Sequence, residues 1–216
     1  MKRYLLLVAG VLAMASCSET LTPEGEIVDR KIEMPDAVDR IEVGDGMTLV
    51  LTEDVPVGEV LIRTHGIVQP YVGVEIDADR VAFTIQARRF RNLDVTVEAS
   101  LDQYRAFSAS GGASISTDGP LSLSEAVFTV SGGSQAVFSG TCTSARIDCS
   151  GGSVFHGYGL SAGVAEVVNS GGSRLEITVT QALAGENSGG SVLLYRGEPS
   201  MLNVDNSGGS QTIREE

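Results

Sequence analysis

The sequence predicts an all-β chain: an N-terminal β-strand region continuous with a parallel β-helix-like solenoid of stacked two-strand coils of about 19 residues. Three observations predict it. Apolar and polar residues alternate in short runs from about residue 24 onward, with many β-branched side chains. No window after the first 17 residues shows a helical period of 3.6. Six Gly-Gly pairs then recur at spacings of 21, 19, 20, 18 and 19 residues, a period of solenoid size.

Residues 1–16 read as an export leader. Met-Lys-Arg precedes an apolar run over residues 4–15, and Met14-Ala15-Ser16 stands before Cys17. A basic start, a short apolar stretch and small residues before the cut are the marks of a signal peptide. The run is too short for a bilayer-spanning helix of about 20 residues. Met14-Ala15-Ser16-Cys17 resembles a bacterial lipobox, which implies that the Cys17 thiol receives a diacylglycerol and becomes the new N-terminus. Each buried acyl CH₂ contributes about 0.8 kcal/mol, so several chains anchor the protein stably in a membrane. Residues 17–33 form the lipidated cysteine and its tether. Loss of Lys2 and Arg3 with the leader takes the net charge from −13 to −15.

Residues 34–105 form the N-terminal β region. Arg40-Ile41-Glu42-Val43, Met47-Thr48-Leu49-Val50-Leu51, Val60-Leu61-Ile62, Val81-Ala82-Phe83-Thr84-Ile85 and Leu93-Asp94-Val95-Thr96-Val97 alternate with a period of two. Gly44-Asp45-Gly46, Asp54-Val55-Pro56 and Asp77-Ala78-Asp79 between them carry turn chemistry.

Residues 106–216 are the repeat, and with residues 34–105 they read as one structural domain. Of the 26 glycines, 19 lie after residue 105. The pairs are Gly111-Gly112, Gly132-Gly133, Gly151-Gly152, Gly171-Gly172, Gly189-Gly190 and Gly208-Gly209, each preceded by serine and all but the first followed by it. Aligned on the pairs, Phe107, Phe128, Ile147, Val167, Gly185 and Val204 fall in one inward column. Ala109, Val130, Cys149, Asn169, Asn187 and Asn206 fall in the next, with mostly polar residues between the two. After the corner, Ile115, Ala136, Phe155, Leu175, Leu193 and Thr212 point inward. Each unit is thus strand, Ser-Gly-Gly-Ser corner, strand and return turn. Glycine suits a corner that needs φ > 0 and close backbone approach between coils. Six coils at a strand spacing of ~4.8 Å span about 29 Å, and parallel crossovers wind right-handed by default.

Composition excludes several functions. Lys+Arg of 15 against Asp+Glu of 28 argues against nucleic-acid binding through a basic face. Two histidines and three cysteines leave little for a metal site, and no cofactor motif is present. Glu186 and Asp205 fall on adjacent coils, as do His156 and Glu176; they read as solvated surface pairs, not as the converging carboxylates of a glycosidase. Arg88, Arg89 and Arg91 around Phe90 read as a charged turn paired with Asp94. The serines beside each glycine pair offer a regular polar face for a glycan. Asn169, Asn187 and Asn206 predict a ladder in which each amide bonds the next. Cys142 and Cys149 can bridge in an exported chain. Cys149 equally suits its inward column as a free thiol, and both readings stand.

The entry segment from Val38-Asp39-Arg40-Ile41-Glu42-Val43 to Leu93-Asp94-Val95-Thr96-Val97, followed by the serial corners that begin at Phe107-Ser108-Ala109-Ser110-Gly111-Gly112, resembles the head GIN domain family of putative auto-transporter adhesins, over roughly residues 34–212. That family commonly has a Gly-Ser-Gly corner where this chain uses Ser-Gly-Gly-Ser. The resemblance implies a pectin-lyase-like β-helix without conserved catalytic residues, in the envelope of a Gram-negative bacterium. The expectation is a non-catalytic lipoprotein of the outer membrane, offering a glycan or protein ligand a surface for adhesion. A structural or signalling-linked envelope module with a protein partner is the alternative, and a polysaccharide-acting enzyme the third. An open solenoid end exposes unpaired strand groups, so self-association there is a further expectation.

Overall fold

The computed structural model describes residues 20–86 and 89–216; Cys17 and Arg88 lie outside them. Before residue 106 the strands are β1 (Thr20–Leu21), β2 (Ile27–Glu33), β3 (Arg40–Val43), β4 (Thr48–Thr52), β5 (Glu59–His65), β6 (Val72–Asp77), β7 (Arg80–Ile85), β8 (Arg89–Phe90) and β9 (Val95–Ser100). After it come β10 (Ala106–Ala109), β11 (Ser114–Asp118), β12 (Leu121–Val130), β13 (Gln135–Cys149), β14 (Val154–Asn169), β15 (Arg174–Asn187), β16 (Val192–Arg196), β17 (Met201–Asn206) and β18 (Gln211–Arg214). One 3-10 turn, Gln69–Tyr71, is the sole helical element among the described residues. No helix among them is long and apolar enough to cross a membrane.

Parallel pairing stacks the chain into a solenoid. One inward column runs Ile41, Phe107, Phe128, Ile147, Val167, Gly185 and Val204 in continuous register. The column beyond the corner runs Leu49, Ile115, Ala136, Phe155, Leu175, Leu193 and Thr212. The solenoid therefore begins one coil before the first Gly-Gly pair. There β3 and β4 turn at Asp45 and Gly46, with φ of 55° and 75°, against 61° and 78° at Gly111 and Gly112. An aspartate in the first glycine's place hides this corner from a search for Gly-Gly.

The corners are tight turns closed by bonds such as Ser134 N–H to Ser131 O, 3.3 Å. Both central residues have positive φ, as the primed hairpin-type turn requires. The two glycines have different reasons to be glycine. A Cβ on Gly132 would sit 3.0 Å from the amide nitrogen of Gly111 in the previous coil, whereas one on Gly133 would meet nothing within 4 Å. The first glycine is held by stacking and dihedral together, the second by its dihedral alone.

The expected return turn is instead extended backbone. β13, β14 and β15 run 15, 16 and 14 residues from one corner to the next. They bend at register slips between Val137 and Ser139, between Gly157 and Ser161 and between Ala162 and Val164, not at hydrogen-bonded turns. Serine, glycine and alanine dominate these stretches and let the ladder turn without leaving it.

The core lies inside the coils. Phe107, Phe128, Phe138 and Phe155 interlock at its centre, with centroid separations of 4.5–5.7 Å. Four of the chain's six phenylalanines are spent there, where offset and edge contacts add to simple burial.

The N-terminal end is closed by chain that doubles back. β7 and β9 add a parallel layer outside β3 and β4. β6 then pairs antiparallel with β7, β5 with β9, and β2 with β5. Among the described residues the C-terminal end has no such closure: β17 pairs only with β15, and β18 only with β16.

Candidate functional site

Of the register slips beyond the corners, the largest lies in β14. In β14, Gly157 pairs with Ile177 of β15, and the next pair is Ser161 with Thr178, so Tyr158, Gly159 and Leu160 bulge from that ladder. A bulge re-aims a side chain that regular pairing would hold in line. Gly157 is required beside it, because a Cβ there would lie 2.4 Å from the Phe155 ring and 2.6 Å from Glu176 O.

Tyr158 is thereby laid along the outside of the solenoid. Its hydroxyl donates to Glu215 Oε2 at 2.8 Å, beyond β18. The Arg196 guanidinium stands 4.1 Å from the ring centroid, a cation–π contact, and 3.9 Å from Glu215. Burial, reinforced by the hydrogen bond to the Glu215 carboxylate and its charge, pushes the phenol up to about 12. It stays a proton donor throughout the physiological range.

Next to it, Glu176 and His156 occupy facing positions in the register. Glu176 Oε2 accepts from His156 Nδ1 at 2.9 Å and Oε1 from Arg174 Nε at 2.7 Å. Its side chain is only 10% exposed, although it lies on the outward column. Burial opposes the Glu176 charge, but the hydrogen bonds from His156 and Arg174 outweigh it and hold the carboxyl below its ordinary range. The carboxylate thus holds the imidazole through Nδ1, while the His156, Arg174 and Arg196 side chains remain about half exposed. Two guanidiniums, an oriented imidazole and a phenol make a patch of directed donors beside an aromatic ring. Both carboxylates within it are tied by hydrogen bonds.

The pair His156 and Glu176 is legible in the sequence as neighbours on adjacent coils. Tyr158, Arg174, Arg196 and Glu215 are not, because the bulge and the side-chain reach across several coils place them. The available signal is Gly157-Tyr158-Gly159, which breaks the alternation inside a 20-residue spacing.

The other expected positions fall as follows. The lipidated position, Cys17, lies outside the described residues. Glu186 and Asp205 pair in register and are both exposed. Neither Arg89 nor Arg91 makes an ion pair with Asp94; Phe90 instead packs edge-on against Tyr71 at 5.6 Å. The serine array differs from expectation. The serines after the glycines turn inward, and Ser134, Ser153, Ser173 and Ser191 are buried. Ser153 and Ser173 donate to Ser150 O and Ser170 O at 2.7 Å, closing their own corners, so only one serine per corner faces out.

Asn169 Nδ2 donates to Asn187 Oδ1, and Asn187 Nδ2 to Asn206 Oδ1, both at 3.0 Å. Each also reaches a carbonyl of a neighbouring coil, Val192 O at 3.1 Å and Gln211 O at 2.8 Å. Cys149 occupies the rung above Asn169. Its thiol donates to Ser153 O and Arg174 O at 3.6 and 3.9 Å, and burial pushes it up to about 11. Cys142 and Cys149 are both free and buried, on different stretches of β13, so the disulfide reading gives way to the packed thiol. Among the described residues no cluster of His, Cys, Asp and Glu could hold a metal ion.

The sequence profile of the family "putative auto-transporter adhesin, head GIN domain" matches residues 37–199. The chain belongs to that family. Among solved structures, a putative adhesin from Bacteroides fragilis superposes with a TM-score of 0.70 at 14% identity, covering 90% of this chain and 99% of its own. A putative adhesin from Parabacteroides distasonis gives 0.52 at 15% identity, with coverages of 90% and 100%. A putative lipid binding protein from the same species gives 0.57 at 12% identity, with coverages of 92% and 100%. At these identities the likeness is one of fold. No curated protein matches the chain.

Proposed function

We infer that this GIN-domain chain is an exported lipoprotein of the Gram-negative outer membrane, anchored through Cys17, whose solenoid is a non-catalytic binding surface used in adhesion. The observation that carries the reading is the β14 bulge. The largest slip in the coil stack loops Tyr158, Gly159 and Leu160 out of the β14–β15 ladder, and beside it Tyr158, Arg174, Arg196 and His156 gather outward. Oriented donors beside an aromatic ring suit a glycan or a polar protein surface. The family's adhesin description and the lipobox before Cys17 support the same reading. Glu176 is occupied by His156 and Arg174, and Glu215 by Tyr158 and Arg196, which favours binding over acid–base chemistry.

Two experiments test it. Protease shaving of intact cells should remove the protein, and failure to reach it removes adhesion. On a glycan array, the wild-type protein should bind, and Tyr158→Ala with Arg196→Ala should abolish the signal. Silence of the wild type, together with a co-purifying envelope protein, would replace this reading with a structural or signalling-linked module.

A further inference from the structure

The first strand after the lipobox is short and pairs far along the chain. β1 lies parallel to β8, with Thr20 opposite Arg89 and Leu21 opposite Phe90, and the Arg91 amide donates to Leu21 O at 2.8 Å. These two strands form a small sheet of their own, apart from that of the solenoid. Residues 18 and 19 alone separate Thr20 from Cys17. At about 3.6 Å per residue, the cysteine therefore lies within about 11 Å of Thr20. The segment that carries Arg89 and Arg91 is fastened beside the position that the lipobox marks.

Arg89 and Arg91 are both exposed, and neither guanidinium has a hydrogen-bond or ion-pair partner among the described residues. Every other described arginine or lysine is held, Arg30 by Val72 O and the rest by a carboxylate within 3.9 Å. An acidic chain thus ties its cations to its own acids, yet leaves these two unspent. Asp45, which with Ile85, Phe90 and Leu93 lines a hollow of about 170 Å³ beside them, already accepts the Ile85 amide at 2.8 Å. Phe90 is half-buried against Tyr71, so that packing and the pairing with β1 together hold the segment in place.

We propose that Arg89 and Arg91 bind the anionic phosphate headgroups of the leaflet that holds the Cys17 acyl chains, a contact that rests on the lipoprotein reading of Cys17. Reach and charge together argue for that occupant. An anchor within about 11 Å of Thr20 keeps both arginines close to the headgroups, and a free guanidinium fork matches a phosphate with two parallel hydrogen bonds. Each basic residue near an anionic surface raises the bound population about five-fold, over a Debye length of about 8 Å. The same surface repels the chain as a whole, whose net charge is −13 and falls further once Lys2 and Arg3 are lost. The acyl chains therefore supply the hold, and the arginines select which end faces the membrane. β14 stands four strands along the ladder from β9, about 19 Å, which holds the Tyr158 patch away from the anchored end.

Arginine footprinting on vesicles tests it. The mature chain is coupled through the Cys17 thiol to a maleimide lipid, Cys142 and Cys149 being buried, then treated with phenylglyoxal and read by mass spectrometry. Modification of Arg89 and Arg91 should be at least ~5-fold slower on vesicles containing phosphatidylglycerol than on phosphatidylcholine alone, and molar salt should remove the protection. Arg146, exposed and paired with Glu166 on a later coil, should react equally on both. Hydrogen exchange at Thr20 and Leu21 should slow on the anionic vesicles in the wild type and not in Arg89→Glu with Arg91→Glu. If that double variant loosens β8, the wild-type footprint decides alone. Equal modification of Arg89 and Arg91 on the two vesicles, or equal protection of Arg146, overturns the proposal. Fatty-acid labelling of wild type against Cys17→Ser tests the anchor separately. No difference in label removes the lipoprotein reading and this contact with it, whereas label with unprotected arginines removes the contact alone.

Discussion

At the N-terminal end, the last parallel layer is followed by antiparallel strands; of the two outermost, β2 carries four charges in seven residues and β6 two in six. At the C-terminal end, no further described strand pairs on the last parallel layer, and β17 carries one charge in six. The difference is one of route. β7 and β9 are inserted outside β3 and β4 by chain that comes later in the sequence, so that end can be finished with reversed strands. The repeat adds each coil on the side away from the start, and its terminal coil still has an interior's pattern. A solenoid's edge is covered where its regularity is broken and stays open where it is kept.

The largest effects that sharpen this contrast belong to the core. Phe128→Ala, at the centre of the phenylalanine cluster, should cost about 3–5 kcal/mol, while Val204→Ala in the same column at the open end should cost about 1 kcal/mol or less. Chemical denaturation of both variants checks this, and equal losses would mean that the last coil is covered.

The asparagine ladder gives the same gradient in polar terms. Asn187→Ala removes a donor from three acceptors and an acceptor from Asn169, and should cost about 1–3 kcal/mol. Asn206→Ala, exposed at the end, should cost a fraction of that in the same denaturation assay.

Within one corner, Gly133→Ala should cost roughly 1–2 kcal/mol for its left-handed backbone. Gly132→Ala should cost more, because its Cβ also presses on Gly111. Thermal melts of the two variants rank them, and the reverse order would contradict the stacking of corners.

The smallest effect is pH-dependent. The Glu176 carboxyl lies below its ordinary range in the folded chain. A depressed folded value contributes stability above the unfolded pKa of ~4.5 that is lost as pH falls through the folded one. The stability advantage of wild type over Glu176→Gln should therefore shrink below about pH 5. An advantage that grows on acidification would reverse the assignment.

The sequence shows the solenoid clearly where a residue type is forced by geometry. Gly-Gly marks each corner because both residues have positive φ, and the inward columns repeat because every coil shares one interior. It hides the corner at Asp45-Gly46, since aspartate tolerates positive φ well enough to replace glycine. It hides the N-terminal closure, because strand alternation does not say that β9 lies outside β4. The bulge cluster is half legible. His156 and Glu176 align by coil arithmetic, whereas Tyr158 and Glu215 meet across 57 residues through a side chain that no periodicity predicts. The serines after the glycines were expected outside with the corner, but the turn closes on their hydroxyls and takes them in.

Hydrogen exchange read by mass spectrometry in dilute solution tests the contrast between the ends most directly. In dilute solution, amides of β17 and β18 should exchange well before those of β13 and β14, and before those of β5 and β9 at the closed end. β17 and β18 exchanging as slowly as β13 in dilute solution, or β5 and β9 opening first, would contradict a solenoid closed at one end and open at the other.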